Sequence, residues 1–271
     1  MMNSIITRIT TVFLTLGLLF VAGCDNGVMN ETPGFGSLEV RLHDAPVDFE
    51  EVNIFVDRVE VNREEDEEGW IVHSEPAQYY NLLELVNGNY ENLGVSELEA
   101  GTYHQIRLIL GEDNYVVVDG ESRELTTPSA QQSGLKLVIN KEIREGEEYV
   151  LQLDFDAARS IVVTGPPQNP ANYILKPVIR ASSVSEDGNI AGTVLPPDAR
   201  PAVYAISNQE TLTSTFSDPE TGEFKLIGLS EGSYTVSFEP REDGFDGTEL
   251  EGVEVEPGET TDVGEIELET E

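Results

Sequence analysis

The stretch Ser37-Leu38-Glu39-Val40-Arg41-Leu42 decides the fold class, because apolar and charged residues alternate along it. Successive side chains of a β-strand point to opposite faces, so this period of two predicts a strand with one buried face. Similar short segments follow along most of the chain, and few segments have the period of a helix. Many short strands with little helix are typical of a β-sandwich. We therefore predict an all-β protein.

The next apolar segment, residues 52–61, changes phase part-way along. Its apolar residues before Asp57-Arg58 share one phase, whereas Val59 and Val61 take the other, which indicates a bulge or bend at that point. Glu64-Glu65-Asp66-Glu67-Glu68-Gly69 then predicts a solvated hairpin tip. A calcium loop is the alternative, but the spaced ligands of an EF-hand are missing. Trp70-Ile71-Val72 opens the return strand.

Several local signals set the remaining elements before residue 181. Residues 79–85 fit either a strand or a short helix, and Asn87-Gly88 ends them as a turn. Asp119-Gly120 predicts the turn of a hairpin, and Asp156 is placed to cap one helical turn. Residues 173–180 read as a single strand, in which Pro177 favours an edge position.

A second pattern starts at residue 189, after a small polar segment at 182–188 that we interpret as a linker. Phe224 and Leu226 share one face, residues 228–232 form a tight turn, and apolar residues return on the inner face from Tyr234 onward. We predict an independent domain over residues 189–271. The fold expectation is thus two β-sandwich domains in tandem, of immunoglobulin or prealbumin type, over residues 37–181 and 189–271.

Five segments of the first region carry a family resemblance. They are His43-Asp44-Ala45-Pro46, the stretch from Leu110 to Val117, the stretch from Thr127 to Leu137, the stretch from Asp154 to Ser160, and the stretch from Tyr173 to Arg180. Together they resemble the bacterial and archaeal family called domain of unknown function 4382, over about residues 36–181. The resemblance implies a lipoprotein or a secreted envelope protein and brings no activity with it.

The second region has a resemblance of its own. Gly192, Gly222, Phe224, Gly228-Leu229 and Gly232 stand at strand and turn spacing. They resemble the carboxypeptidase-regulatory-like module of transthyretin type, which implies a seven-stranded sandwich.

The N-terminus predicts export and lipid attachment. Arg8 precedes an apolar run over residues 12–22, which is shorter than the roughly 20 apolar residues of a membrane-spanning helix. Val21-Ala22-Gly23-Cys24 resembles the lipobox of bacterial lipoproteins, which implies cleavage before Cys24 and acylation of its sulfur. An ordinary secretory signal is the alternative. We expect a signal peptide over residues 1–23, a lipidated flexible tether over 24–36, and a location in the cell envelope, anchored to the membrane through Cys24.

Composition restricts the partners of the exported chain. Removal of residues 1–23 deletes Arg8 and no acidic residue, so the formal charge moves from −37 to −38. Such a surface repels nucleic acid, and we exclude that partner. The remaining partner classes are the membrane itself, a glycan or another envelope protein.

Side chains suited to chemistry are few. A calcium site is the strongest cofactor candidate: Asp154 and Asp156 share one side of a strand end, and Asp44 or Asp113 would join them from loops. The alternative is that Asp154 and Asp156 cap backbone N–H groups. Apart from this possible calcium ion we expect no cofactor.

A loop rich in hydroxyls and amides is a second candidate site, for a sugar or a peptide. Its side chains are those of Thr127, Ser129, Gln131, Gln132 and Ser133. An ordinary structured turn is the alternative.

Catalytic motifs are weak. Gly228-Leu229-Ser230-Glu231-Gly232 fits the pattern of a hydrolase nucleophile elbow, but a strand is predicted where that motif needs a helix. His43, His73 and His104 lack the spacing of metal ligands. We therefore expect no catalytic residue and no enzyme.

Three functions stay open at this point. The first is a non-catalytic envelope lipoprotein that presents its sandwiches for adhesion, assembly or ligand binding. The second is a carbohydrate-binding protein, for which Tyr204, Phe216 and Phe245 are the free aromatic candidates. The third is a calcium-stabilised surface protein.

Overall fold

Two pairs of β-sheets build the chain, as the prediction of an all-β protein requires. The computed structural model describes residues 34–63, 69–128, 134–166 and 172–270. The predicted signal peptide, Cys24, most of the tether and the acidic tip at 64–68 lie outside the described residues. In the described part, no helix is both long enough and apolar enough to cross a membrane.

The first sandwich contains thirteen described strands, one α-helical turn and a 3-10 helix over Leu82–Glu84. The elements in chain order are β1 (Phe35–Ala45), β2 (Glu51–Asn62), β3 (Trp70–Ser74), β4 (Gln78–Asn81), β5 (Glu91–Glu99), β6 (Gly101–Leu110), β7 (Tyr115–Val118), β8 (Glu121–Thr126), β9 (Leu135–Ile143), β10 (Glu148–Asp156), α1 (Ala157–Ser160), β11 (Ile161–Thr164), β12 (Asn172–Leu175) and β13 (Ile179–Ser183).

These strands form two sheets that pack face to face. The smaller sheet has the order β13-β10-β1-β5, and the larger has the order β11-β12-β8-β7-β2-β6-β9, with β3 and β4 also paired to β2. One apolar core joins them, with Val40 of β1 and Leu153 of β10 on one side and Ile54 and Ile106 on the other. Because β1 pairs with β10 in parallel, residues far apart in sequence come to lie side by side.

Local signals in the first sandwich produce the expected structures. The β2–β6 register shifts between Val56 and Arg58, which confirms the bulge. Asp119 and Gly120 both have positive φ, as a two-residue hairpin turn requires. Residues 79–85 contain both predicted forms, because β4 is followed by a 3-10 helix over Leu82–Glu84. Asp156 caps α1 by accepting the Arg159 N–H at 2.8 Å.

The prediction of a single strand over residues 173–180 is wrong. The chain leaves β12 in one sheet and enters β13 in the other, and Pro177 lies between them. Proline has no N–H to donate to a ladder, so the strand stops there. Ser160 holds the crossing, because its carbonyl accepts from Lys176 N at 2.7 Å and its hydroxyl from Val178 N at 2.8 Å.

The second sandwich has seven strands. They are β14 (Gly188–Leu195), β15 (Ala202–Ser207), β16 (Glu210–Phe216), β17 (Glu223–Leu229), β18 (Gly232–Glu239), β19 (Thr248–Val255) and β20 (Thr260–Glu267). Their sheet orders are β17-β14-β20 and β16-β15-β18-β19. Phe224 and Phe238 meet edge to face in the core between the sheets, with ring centroids 5.4 Å apart.

The connection between the sandwiches is short. β13 continues to Ser183 and β14 begins at Gly188, so only residues 184–187 lie between strands. Asp187 folds this turn back, because its carboxylate accepts the Ser183 N–H at 2.7 Å. Residues 33–271 form a single compact unit. That residues 189–271 also fold independently stays a prediction.

Candidate functional site

The candidate site is the interface between the two sandwiches, and its centre is Arg180 on β13. The Arg180 guanidinium donates to Asp154 Oδ2 at 3.1 Å on the neighbouring strand β10. It also crosses to the second sandwich, where it donates to the carbonyl oxygens of Gly228 at 2.6 Å and Ile227 at 3.2 Å. Arg180 therefore joins a buried carboxylate of its own sandwich to two backbone carbonyls of the second sandwich.

Gly228 allows this close approach. Its φ is +65°, and a Cβ at this position would lie 2.5 Å from Ser182 Oγ of the first sandwich. A larger residue would be strained in this conformation and would push the sandwiches apart. The first glycine of the elbow-like pattern at 228–232 thus has a structural role in the interface.

Hydroxyl groups of β16 extend the contact. The Thr213 hydroxyl donates to Asp154 Oδ2 at 3.3 Å. Thr215 Oγ1 accepts the Asn87 N–H at 2.9 Å, and the Asn87 side chain donates to the Glu223 carbonyl at 3.2 Å. Asn87 has a positive φ, which fits the predicted turn at Asn87-Gly88, and this turn docks the first sandwich onto the second.

Beside these contacts lies an open cleft of about 460 Å³. One wall is the loop at residues 46–49 of the first sandwich, and the other includes Tyr204 and Phe216, which share one face of the β15–β16 ladder. Arg241 lies with its guanidinium carbon 3.9 Å from the centroid of the Phe216 ring and forms an ion pair with Asp48. The cleft therefore combines aromatic faces with charged hydrogen-bonding groups.

The four carboxylates predicted to bind calcium do not form one site. Asp44 pairs with Phe155 in the β1–β10 ladder, so it points to the face opposite Asp154 and Asp156, whereas Asp113 is exposed on a loop. Among the described residues, no three His, Cys, Asp or Glu side chains are placed to hold a metal ion. Asp156 is a helix cap, as the alternative proposed, but Asp154 binds Arg180 and Thr213. Calcium binding by the chain stays a prediction.

The predicted ligand loop is described only at its start. Thr127 Oγ1 accepts a hydrogen bond from Asn114 Nδ2 at 3.2 Å. Ser129, Gln131, Gln132 and Ser133 lie outside the described residues, as does the lipidation candidate Cys24.

The histidines make local contacts. His43 Nδ1 lies 2.8 Å from the Asn89 carbonyl oxygen and Nε2 lies 3.2 Å from Gln152 Nε2, whereas His104 contacts Asn140 at 3.0 Å. His73 Nδ1 lies 2.6 Å from Ser96 Oγ, a serine–histidine contact that the sequence spacing did not reveal. The other nitrogen of His73 faces the Gly94 carbonyl at 3.2 Å, where a catalytic triad has a carboxylate.

Ser230 is exposed after β17, and the strand β18 follows it as predicted. Its hydroxyl donates to Asp187 Oδ1 at 3.1 Å, so its hydrogen-bond partner is a carboxylate and not a histidine. The third aromatic candidate, Phe245, packs against the second core away from the cleft, since its backbone bridges to Thr270.

Residues 35–177 match the family described as Domain of unknown function (DUF4382). The chain belongs to this family. The DUF4382 domain thus contains Asp154 and the Asn87 turn, while Arg180 lies just beyond it. No curated protein matches the chain.

Solved structures with some likeness to the chain include a pilin, a fimbrial anchor protein and the Bacillus anthracis TIE protein. The Bacillus anthracis TIE protein is 16% identical with a TM-score of 0.25, and the match covers 88% of this chain and 34% of that protein. This chain thus spans about a third of its length. The minor pilin GBS52 of Streptococcus agalactiae is 11% identical with a TM-score of 0.23, over 86% of this chain and 96% of the pilin. The fimbrial anchor protein Mfa2 of Porphyromonas gingivalis is 14% identical with a TM-score of 0.20, over 74% and 77%. These low scores give no information on the role of the DUF4382 chain.

Asp44 is a buried carboxyl group of the DUF4382 domain with one unpartnered oxygen. Its Oδ1 accepts the Ala157 N–H at 3.0 Å at the start of α1, whereas Oδ2 is buried without a hydrogen bond. Burial raises the pKa of Asp44 well above its usual value, against the opposing effect of the Ala157 hydrogen bond. As pH rises, the unfolded chain therefore releases this proton first, and stability is lost.

We expect Asp44→Asn to be more stable than the natural chain at pH 7, by about 1–3 kcal/mol. Asparagine keeps an acceptor for Ala157 N and carries no charge to bury. The gain should shrink to nothing as pH falls below the unfolded-state pKa of about 3.8, which denaturant titrations at several pH values would measure. Asp113→Asn removes the same charge from an exposed loop and serves as the control. An equal pH profile for both variants would contradict the assignment.

Most residues of the interface between the two sandwiches could not be recognised from the sequence. Arg180 is the one residue that could have been recognised, because a cation within the mainly apolar or small stretch from Val178 to Ser182 indicates a paired, partly buried charge. Thr213 and Thr215 repeat at strand spacing, a pattern that fits a polar contact face as well as a solvated one. Nothing local connects either threonine with the DUF4382 domain.

Proposed function

We propose that the chain is a lipid-anchored protein of the cell envelope that presents its two sandwiches as one stiff body for adhesion or assembly, without catalysis. The observation that carries the stiff body is the Arg180 contact with Asp154, Ile227 and Gly228, which ties the two sandwiches together. A stiff body transmits orientation and force from an anchor to a bound partner, whereas a flexible pair of domains does not.

The charge of the chain supports the same role. A formal charge of −37 keeps the chain soluble and discourages non-specific contact with other anionic surfaces. His73 faces the Gly94 carbonyl and Ser230 bonds to Asp187, so we assign no catalytic role to Ser96 or Ser230.

Lipid anchoring is tested by Cys24→Ala. We expect the natural chain to enter the detergent phase of a phase-separating detergent and to incorporate a labelled fatty acid. The variant has no sulfur to acylate, so it should remain in the aqueous phase without label. Asn26→Ala leaves the Val21-Ala22-Gly23-Cys24 motif intact and should behave as the natural chain. Detergent partition of Cys24→Ala equal to that of the natural chain would refute the anchor.

Carbohydrate binding is the second candidate function. It is favoured by the position of Tyr204 and Phe216, two of the three aromatic candidates, on the wall of the cleft beside Arg241 and Asp48. Sugars bind where an aromatic face accepts the apolar face of the ring and neighbouring polar groups bind its hydroxyls. A glycan array probed with the detergent-solubilised full chain tests this function, and the absence of any bound glycan would count against it.

A further inference from the structure

A cavity of about 340 Å³ opens between the DUF4382 domain and the second sandwich, next to the cleft at Phe216. The turn at residues 86–89 forms one side, and residues 216–219 with Arg200 and Arg241 form the other. Its volume is within the range of small-molecule sites. Phe216 and Arg241 line both the cavity and the neighbouring cleft, so the two spaces are adjacent compartments.

Two buried polar atoms in the lining have no hydrogen-bond partner. Ser217 is only 5% exposed and its Oγ is unpartnered, and Asn87 Oδ1 is likewise buried without a partner. An unmade hydrogen bond of this kind costs about 1–3 kcal/mol, so buried polar groups are nearly always satisfied. Both residues make other contacts, since Asn87 bonds to Thr215 and Glu223 and the Ser217 N–H donates to the Pro201 carbonyl at 3.2 Å. Both atoms are covered in this structure, and a small side-chain rotation toward the cavity would bring them into reach of a ligand.

We propose that the cavity and the adjoining cleft bind a neutral oligosaccharide, with one sugar ring in each compartment. A pyranose ring has apolar C–H faces and a rim of hydroxyls, and each hydroxyl both donates and accepts. Such a ring can donate to Asn87 Oδ1, bond with Ser217 Oγ, accept from a guanidinium and lie against an aromatic side chain. In the second compartment Tyr204 provides the aromatic surface.

The charges of the site favour a neutral ligand over an anionic one. Each guanidinium is already close to a carboxylate: Arg241 pairs with Asp48, and Arg200 lies 3.5 Å from Glu242. Asp218 adds a further negative charge to the lining, and Glu239 adds one to the cleft. An acidic sugar would meet uncompensated repulsion here.

The inference rests on the carbohydrate-binding candidate and is independent of lipid anchoring. The test is calorimetric titration of the full chain in detergent with maltohexaose, cellohexaose, mannohexaose and xylohexaose, and with an oligogalacturonate as the acidic probe. We expect binding of at least one neutral probe and none of the acidic probe. Phe216→Leu should weaken that binding about tenfold and Ser217→Ala about fivefold, because the first removes the aromatic face and the second a hydrogen-bonding group.

Tyr79→Ala is the matched control, because Tyr79 is an aromatic residue, 46% exposed, on β4 of the first sandwich. It should bind as the natural chain does. Thermal unfolding of each variant identifies any loss of folding, and Phe216→Leu retains apolar volume for this reason. Binding that survives Phe216→Leu and Ser217→Ala in folded protein, or that falls equally in Tyr79→Ala, overturns the site alone. Preference for the acidic probe overturns the ligand class, and no binding of any probe overturns the site and the carbohydrate-binding candidate together.

Discussion

Replacing Arg180 by alanine is expected to lower the free energy of unfolding by about 2–4 kcal/mol and to separate the unfolding of the two sandwiches. Asp154, whose side chain is 8% exposed, would keep only the Thr213 hydroxyl as a side-chain partner, so a buried charge would lose its cation. The carbonyls of Ile227 and Gly228 would each lose a donor. The upper limit for a fully buried pair is not reached, because the Arg180 side chain is 33% exposed.

Urea unfolding monitored by two probes measures this effect. Trp70 fluorescence reports on the DUF4382 domain, and amide exchange of β18 reports on the second sandwich. We expect coincident transitions in the natural chain and separated transitions in Arg180→Ala. Arg123→Ala breaks an ion pair between two exposed side chains and should cost less than about 0.5 kcal/mol.

A double-mutant cycle with Asp154→Asn separates the ion pair from the carbonyl contacts. Removing the carboxylate charge should recover part of the stability lost in Arg180→Ala, because no buried charge is then left without a partner. Coincident transitions in Arg180→Ala, with a loss no larger than that of Arg123→Ala, would refute the proposed stiff body.

The second large effect is a loss of stability on acidification caused by His43. Burial lowers the pKa of His43 from 6.5 to about 4, although its hydrogen bond to Asn89 opposes the shift. With the proton assigned to Nδ1, the neutral ring donates to the Asn89 carbonyl and Nε2 accepts from the Gln152 amide. Both nitrogens are then satisfied without a charge.

The sign of the effect follows from the lowered pKa. In the unfolded chain His43 takes up a proton near pH 6.5, and in the folded chain only near pH 4. The stabilisation is therefore complete above pH 6.5 and is lost as pH falls through that interval, by about 3 kcal/mol in all. This is the opposite of Asp44, whose contribution is lost as pH rises.

Unfolding free energies between pH 4 and 7 measure the His43 effect. His43→Gln retains hydrogen-bonding capacity without a titrating ring, so its stability should fall less steeply with acidification than that of the natural chain. His104→Gln, at a partly exposed position, should keep the steep dependence. NMR titration of the His43 ring gives a direct reading, and protonation near pH 6.5 in the folded chain would contradict the assignment.

Local patterns in the sequence were sufficient for many of the strands and turns. The alternation at 37–42, the phase change at Asp57-Arg58 and the turn at Asp119-Gly120 all depend on residues that are neighbours in the chain. Backbone conformation and burial of one face are decided at this range, and for this reason the all-β class and the bulge could be predicted. The helix cap at Asp156 belongs to the same group.

The tertiary structure alone decided which strands are partners and what lies between the sandwiches. The hydrogen bond between Thr213 and Asp154 joins residues 59 positions apart in the chain, and the one between Asn87 and Thr215 joins residues 128 positions apart. No local sequence pattern extends over such separations. Pro177 indicated only an edge position within a single strand, and the sheets show that the strand ends there and that the chain changes sheet. The candidate site consists of such contacts, because a polar side chain has the same local pattern whether it faces water or the partner sandwich. The local pattern is enough to predict a chain of amphipathic strands, whereas the packing of those strands places Arg180 at one part of the interface and Ser217 and Phe216 at the cavity beside it.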